Sequence, residues 1–244
     1  MNIQGKTALI TGGAKRVGKV IALTLARRGA NIAFTYQNSK KEALETLQEL
    51  KALGVQALAI QVDISKSKQI LRMVQQTLKK FGSIEILINN AAIFYKTPFE
   101  KIKESDWDQH ININLKGTFL CSQQVGLEML KKKIGKIVNI ADWAGLRPYR
   151  NYIPYCVSKA GVICLTQALA KTLAPHIQVN CVAPGPVLLP KKISDEEVKQ
   201  IIHGTPLKRI GTPEDVAKTV LFLIEGSDFI TGATYHVDGG RYIA

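Results

Sequence analysis

The chain has 244 residues, 46% hydrophobic and 21% charged, and its 33 Lys and Arg against 19 Asp and Glu give a formal charge of +14. That length accommodates one α/β domain over residues 1–244 without room for a second, and the composition excludes a disordered or fibrous chain. The basic residues fall in scattered pairs (Lys15/Arg16, Lys40/Lys41, Lys79/Lys80, Lys191/Lys192) and the run Lys131 to Lys133, with no interleaved aromatics, so neither nucleic acid nor a membrane surface is an expected partner. Charge alone does not choose among anionic partners, and solvated helix faces are the simpler reading of the scatter. Four cysteines (Cys121, Cys156, Cys164, Cys181) show no paired spacing and read as reduced, mostly buried thiols, which points to the cytoplasm. The first residues run straight into a strand without signal-peptide features, and no apolar run approaches the roughly 18 residues of a membrane span.

In chain order the first strand, KTALIT at 6–11, is followed by Thr11-Gly12-Gly13-Ala14-Lys15-Arg16-Val17-Gly18 and a helix from Val17 to Arg28. Such a turn lets backbone N–H groups and the positive end of a helix approach a pyrophosphate. The second strand, NIAFTY, ends at Tyr36 and leads through Gln37, Asn38, Ser39 and Lys40 without the acidic residue that holds the ribose hydroxyls of NAD. NADP(H) is therefore the expected cofactor, with Lys15, Arg16 and Ser39 facing its 2′-phosphate. A helical pattern from Ser39 to Leu53 leads to the strand QALAIQV and then Asp63, which either accepts a hydrogen bond from adenine or caps a helix beginning near Ser65. After the helix Lys66 to Phe81 come IEILIN, GKIVNI, IQVNCV and ATYHV, and Thr212-Pro213-Glu214-Asp215 reads as a capping box opening a helix from Pro213 to Glu225. Apolar strands joined by crossover helices imply a doubly wound, Rossmann-like parallel sheet with helices on both faces and its ligand at the carboxyl ends of the strands.

The turn Thr11 to Gly18, Asn89-Asn90-Ala91, Asn114, the pair Tyr155 and Lys159, and Pro184-Gly185 occur in an order and spacing that resembles the short-chain dehydrogenase/reductases. Tyr155 and Lys159, four apart, share one helix face, where an ammonium stabilises tyrosinate and makes the phenol a usable general acid. The resemblance implies that Lys159 also holds the nicotinamide ribose, that Asn114 holds a relay water, and that Gly12, Val17, Gly18, Asn90, Pro184 and Gly185 line the cofactor. It further implies a homotetramer, with the apolar segment Ile230 to Ala244 reaching an interface. No metal site is expected.

Two departures sharpen the reading. Asp142 stands thirteen residues before Tyr155, where the family has a serine that binds a carbonyl oxygen, and an ionised carboxylate there repels a forming oxyanion. Arg16 replaces the usual second glycine of the turn and reaches both cofactor and substrate. With Phe94 placed to stack on a flat ring, and Tyr95 a weaker candidate beside it, these features resemble the pteridine and dihydromonapterin reductases. They imply hydride transfer to a ring C=N of a pterin or dihydrofolate, with Asp142 and Tyr155 supplying the proton and Arg16, Phe94, Asp142 and Tyr155 binding the substrate. Asn38 and Ala92 do not match that pattern, and Leu189 stands where many members of the wider family have a threonine. The alternative is a carbonyl reductase such as a β-ketoacyl carrier-protein reductase, whose acidic carrier suits the basic surface.

Overall fold

The structure is a computed structural model that describes residues 1–189 and 193–244. The pair Lys191/Lys192 lies outside the described residues, as does part of the loop from Pro184 to Ser194.

Short runs apolar on both sides form the strands β1 (Thr7–Ile10), β2 (Asn31–Tyr36), β3 (Ala57–Gln61), β4 (Ile86–Asn89), β5 (Gly135–Ile140), β6 (Ile177–Pro184) and β7 (Thr234–Val237). They make one seven-stranded sheet in the order β3-β2-β1-β4-β5-β6-β7, parallel at every pairing. Side chains alternate between its faces. Ala8, Ile10, Phe34, Ile88 and Val182 meet Ile21 and Leu25 of α1 (Arg16–Arg27), Leu50 of α2 (Lys40–Ala52) and Val220 of α8 (Pro213–Glu225). On the opposite face Leu9, Leu87, Ile137 and Val179 meet Met73 of α3 (Ser67–Phe81), Val125 of α5 (Gly117–Lys132) and Leu173 of α6 (Ile153–Leu173). Among the described residues the other α-helices are α4 (Glu104–His110) and α7 (Asp195–His203).

The expected helices begin and end within about two residues of the observed ones, the usual uncertainty of helix ends. Thr212 caps α8 as expected: its side chain accepts from the Asp215 N–H while Asp215 reaches back to the Thr212 backbone. One helix departs from expectation, because α6 is long and apolar enough, by length and composition, to cross a membrane. It instead packs on the sheet and carries the buried polar groups Tyr155, Ser158 and Lys159. Three cysteines are buried and Cys164 is exposed, all four as free thiols.

Candidate active site

Strand order reverses between β1 and β4, and the crevice opened there at the carboxyl ends is where ligands bind in doubly wound sheets. A cleft of about 1160 Å³ occupies it. Its cofactor end is built mainly from backbone. Gly12 takes φ +66°, and a Cβ on Gly18 would lie 2.3 Å from the Gly12 carbonyl oxygen, so the first turn of α1 sits directly on the loop before it. Asn90 pins that loop, its amide donating to the carbonyls of Thr11 and Gly12 at 3.0 Å each. Thr11 Oγ1 in turn accepts the N–H groups of Asn90 and Ala91.

Arg16 adopts φ +55°, the left-handed conformation that favours glycine, and its Nη2 donates to the Leu188 carbonyl at 3.2 Å. Lys15, Val17, Ser39, Gln37 and Asn38 line the same end, and the first turn of α1 carries no acidic residue. A close-approach glycine, free N–H groups at a helix start and two cations fit a phosphorylated dinucleotide. Asp63 lies in the cleft and also accepts the Ser65 N–H at 2.9 Å, so it forms a local turn as well; α3 itself begins at Ser67. Pro184 ends β6, and Gly185 packs so closely on Asp238 that a Cβ would lie 2.8 Å from its Cα.

At the other end of the cleft Tyr155 donates to Asp142 Oδ2 at 2.7 Å, and Lys159 Nζ donates to the Ile140 carbonyl at 2.8 Å while lying 5.7 Å from the Tyr155 ring centre. Asp142 Oδ1 accepts from the Ala144 N–H at 2.8 Å and from the Tyr149 hydroxyl at 3.3 Å, so Asp142 both caps its loop and meets the phenol. Burial raises the Asp142 carboxyl above the usual carboxylate range, opposed by its hydrogen bonds from Ala144 and Tyr155 and by the nearby Lys159 charge. Burial first, then the Asp142 charge, holds Tyr155 well above its ordinary value. Lys159 is lowered by burial, with Asp142 opposing.

Asn114 sits in a π-helical turn, Ile111–Lys116, inside the otherwise continuous helix formed by α4 and α5. Its side chain accepts the Ile93 N–H at 2.9 Å and donates to the Ile93 carbonyl and to Ser158 Oγ, both at 3.1 Å, tying the segment after β4 to α6. All the residues expected at the site therefore gather around one cleft or brace its walls. Phe94 lies in it, 47% exposed, stacked on Tyr152 at 4.6 Å and edge-on to Tyr155 at 4.7 Å. Tyr95 also lines the cleft, but its hydroxyl turns to Asp106 at 3.2 Å.

Sequence reasoning missed Tyr149, Tyr152, Trp143 and Arg241. The first three form the aromatic wall around Asp142 and Tyr155, with the Trp143 indole N–H donating to the Tyr149 hydroxyl. A cluster of aromatics just before Tyr155 was their available signal. Nothing in the pattern around Gly239-Gly240-Arg241 foretells that Arg241 lines the cleft. Among the described residues no group of three His, Cys, Asp or Glu side chains is placed to hold a metal ion.

A dinucleotide crevice ending in a buried Tyr-Lys pair defines a nicotinamide-dependent oxidoreductase. A family model described as Enoyl-(Acyl carrier protein) reductase matches residues 12–241. The 3-oxoacyl-[acyl-carrier-protein] reductase FabG of Staphylococcus epidermidis is 40% identical over 242 residues, covering 98% of this chain and 99% of its own. The (2S)-[(R)-hydroxy(phenyl)methyl]succinyl-CoA dehydrogenase subunit BbsD of Thauera aromatica is 41% identical, covering 99% and 98%. Among solved structures, a putative gluconate dehydrogenase from Agrobacterium tumefaciens superposes with a TM-score of 0.94 at 30% identity, covering 100% of this chain and 98% of that one. A Serratia marcescens short-chain dehydrogenase/reductase gives 0.92 at 30% identity with 100% of both chains covered. The chain belongs to the short-chain dehydrogenase/reductase family, and it is an oxidoreductase whose cofactor is NADP(H).

These relatives overturn the expectation of pterin ring reduction. Chains similar over their whole length at about 40% identity are named for 3-oxoacyl reduction. The physical objection that favoured a C=N substrate also weakens, because burial works against the ionised form of Asp142.

Proposed function

We propose that this chain reduces the ketone of a 3-oxoacyl thioester to the secondary alcohol. The observation that carries this reading is the full-length similarity to reductases named for that reaction in a chain that keeps the buried Tyr155 and Lys159 pair. The chemistry NADPH supplies when bound is a hydride for the carbonyl carbon. Gly12, Lys15, Arg16, Val17, Gly18, Ser39, Asp63, Asn90, Pro184 and Gly185 hold it, and Lys159 orients its nicotinamide ribose. Tyr155 gives its proton to the carbonyl oxygen as negative charge develops there. Lys159 steadies the phenolate left behind.

Asp142 borders the substrate oxygen, and burial, by raising its carboxyl, lessens the repulsion that an ionised group sets against the developing charge. Asn114 holds the relay that returns a proton to Tyr155, and Phe94 and Arg16 border the substrate. The unit that performs this is the whole chain, 1–244, assembled as a cytoplasmic homotetramer through Ile230 to Ala244, where Ile243 is 83% exposed and which Phe229, 99% exposed, directly precedes.

The test is NADPH consumption by the purified enzyme with N-acetylcysteamine thioesters of 3-oxobutanoate and 3-oxohexanoate. Turnover of either is the expected result. Consumption with no 3-oxoacyl thioester, free or carrier-bound, overturns the proposal.

A further inference from the structure

Arg241 enters the cleft from the turn after β7, and its guanidinium carbon lies 5.3 Å from the centre of the Trp143 ring. Trp143 follows Asp142 directly, and its indole N–H donates to Tyr149, whose hydroxyl donates to Asp142 Oδ1 at 3.3 Å. The Trp143 indole and the Tyr149 phenol thus link the guanidinium in turn to Asp142. Its Nη1 is fixed at the end of α7, donating to the Ile201 carbonyl at 2.8 Å and to Thr205 Oγ1 at 3.4 Å.

The other edge is different. Arg241 Nε is buried and donates to nothing. In a guanidinium Nε–H and one N–H of Nη2 point the same way, forming the two-pronged edge that matches both oxygens of a carboxylate. Among the described residues no ion pair involves Arg241, and the nearby Glu197 is engaged with Ser194. Asp238 is spent on the N–H groups of Gly240 and Tyr242. An immobilised cation with a buried unpaired donor is unfavourable until an anion joins it.

We propose that Arg241 binds a carboxylate on the substrate, so that the preferred 3-oxoacyl group carries a free carboxylate a few bonds from the ketone. This inference rests on the carbonyl-reduction reading above. A phosphate on a thioester's pantetheine arm fits the position less well, because the whole length of that arm separates it from the reacting carbon, whereas Arg241 lines the same cleft as Asp142. The flat two-donor edge also suits a carboxylate.

The experiment compares N-acetylcysteamine thioesters of 3-oxoadipate and 3-oxohexanoate, which differ by the terminal carboxylate, together with the coenzyme A thioester of 3-oxohexanoate. The wild-type enzyme is expected to favour the 3-oxoadipyl substrate at least about tenfold in kcat/KM. R241M should lower kcat/KM for that substrate at least about tenfold, chiefly through KM, and for the 3-oxohexanoyl substrate by much less. R241K, which keeps the charge and loses the fork, should fall between.

Equal wild-type use of the two N-acetylcysteamine thioesters overturns the inference. So does an equal loss on both in R241M, which marks Arg241 as a clamp on α7, or a loss confined to the coenzyme A thioester, which marks phosphate as its ligand. If none of these thioesters, nor the carrier-bound 3-oxohexanoyl substrate, consumes NADPH, the carbonyl reading fails by itself. Calorimetric titration of the NADPH complex with adipate then decides the matter for Arg241: binding at least about tenfold weaker in R241M and intermediate in R241K supports the inference. Identical isotherms overturn it.

Discussion

The two ends of the cleft are built by different means. The cofactor end is mostly main chain, held by Gly12 and Gly18 at contacts too close for a side chain and by the Asn90 amide bridging consecutive carbonyls. The reacting end is made of side chains from segments far apart in sequence, with Phe94, Asp142, Tyr149, Tyr155 and Arg241 meeting across the cleft. Backbone geometry tolerates few residue types, so the first end has a short signature. Side-chain walls can be built in many ways, and the second end therefore carries the specificity.

If the two ends are separable in function, Tyr155→Phe should lower kcat by roughly 10²-fold or more while NADPH still binds, measured by steady-state kinetics alongside a direct titration. A matching collapse of NADPH binding would break the comparison. Gly18→Ala tests the opposite end. With its Cβ placed 2.3 Å from the Gly12 carbonyl oxygen, it should destabilise the protein by about 1–3 kcal/mol in denaturant unfolding and weaken NADPH binding. Arg16→Ala should reduce the preference for NADPH over NADH by about tenfold, or about 1.4 kcal/mol, in paired dissociation constants. Relief of its left-handed backbone is not expected, since alanine meets the same strain there.

The smallest expected effect is a change of shape in a pH profile. Asp142 has a folded-state pKa above its unfolded one, so the native chain keeps a proton that the unfolded chain releases. Its stabilising contribution is present at low pH and is lost as pH rises from the ordinary carboxylate range through the raised value. Asp142→Ser should therefore gain thermal stability relative to wild type as pH rises through that window. The same substitution should keep ketone reduction and remove the high-pH decline in kcat/KM that ionised Asp142 imposes. An unchanged decline in the serine variant would show that another group titrates.

Legibility in the sequence follows the same division. The seven strands, the turn Thr11 to Gly18, the missing acid after Tyr36 and the Tyr155 and Lys159 pair are local patterns, and each is found where local reasoning places it. The aromatic wall left only the cluster of rings just before Tyr155 as its signal, whereas Arg241 depends on which distant segments meet, which no local spacing encodes. Asp142 shows the limit most clearly. Its identity alone argued against a carbonyl substrate, because a carboxylate in water is charged. Burial against Tyr155 and Tyr149 changes what that identity implies, and burial is a property of the folded chain.

The π turn at Ile111–Lys116 has a consequence for how this protein tolerates change. A π turn holds one residue more than an α-helical turn. Removing that extra residue would leave an ordinary α-helical turn, with Cys121, Val125 and Met129 of α5 still facing the sheet they pack against, but would take with it the geometry that places Asn114. Asn114 is thus fixed by a count as well as by a chemistry: a one-residue deletion within the turn is absorbed where it occurs, whereas one within α5 would rotate everything beyond it by about 100°.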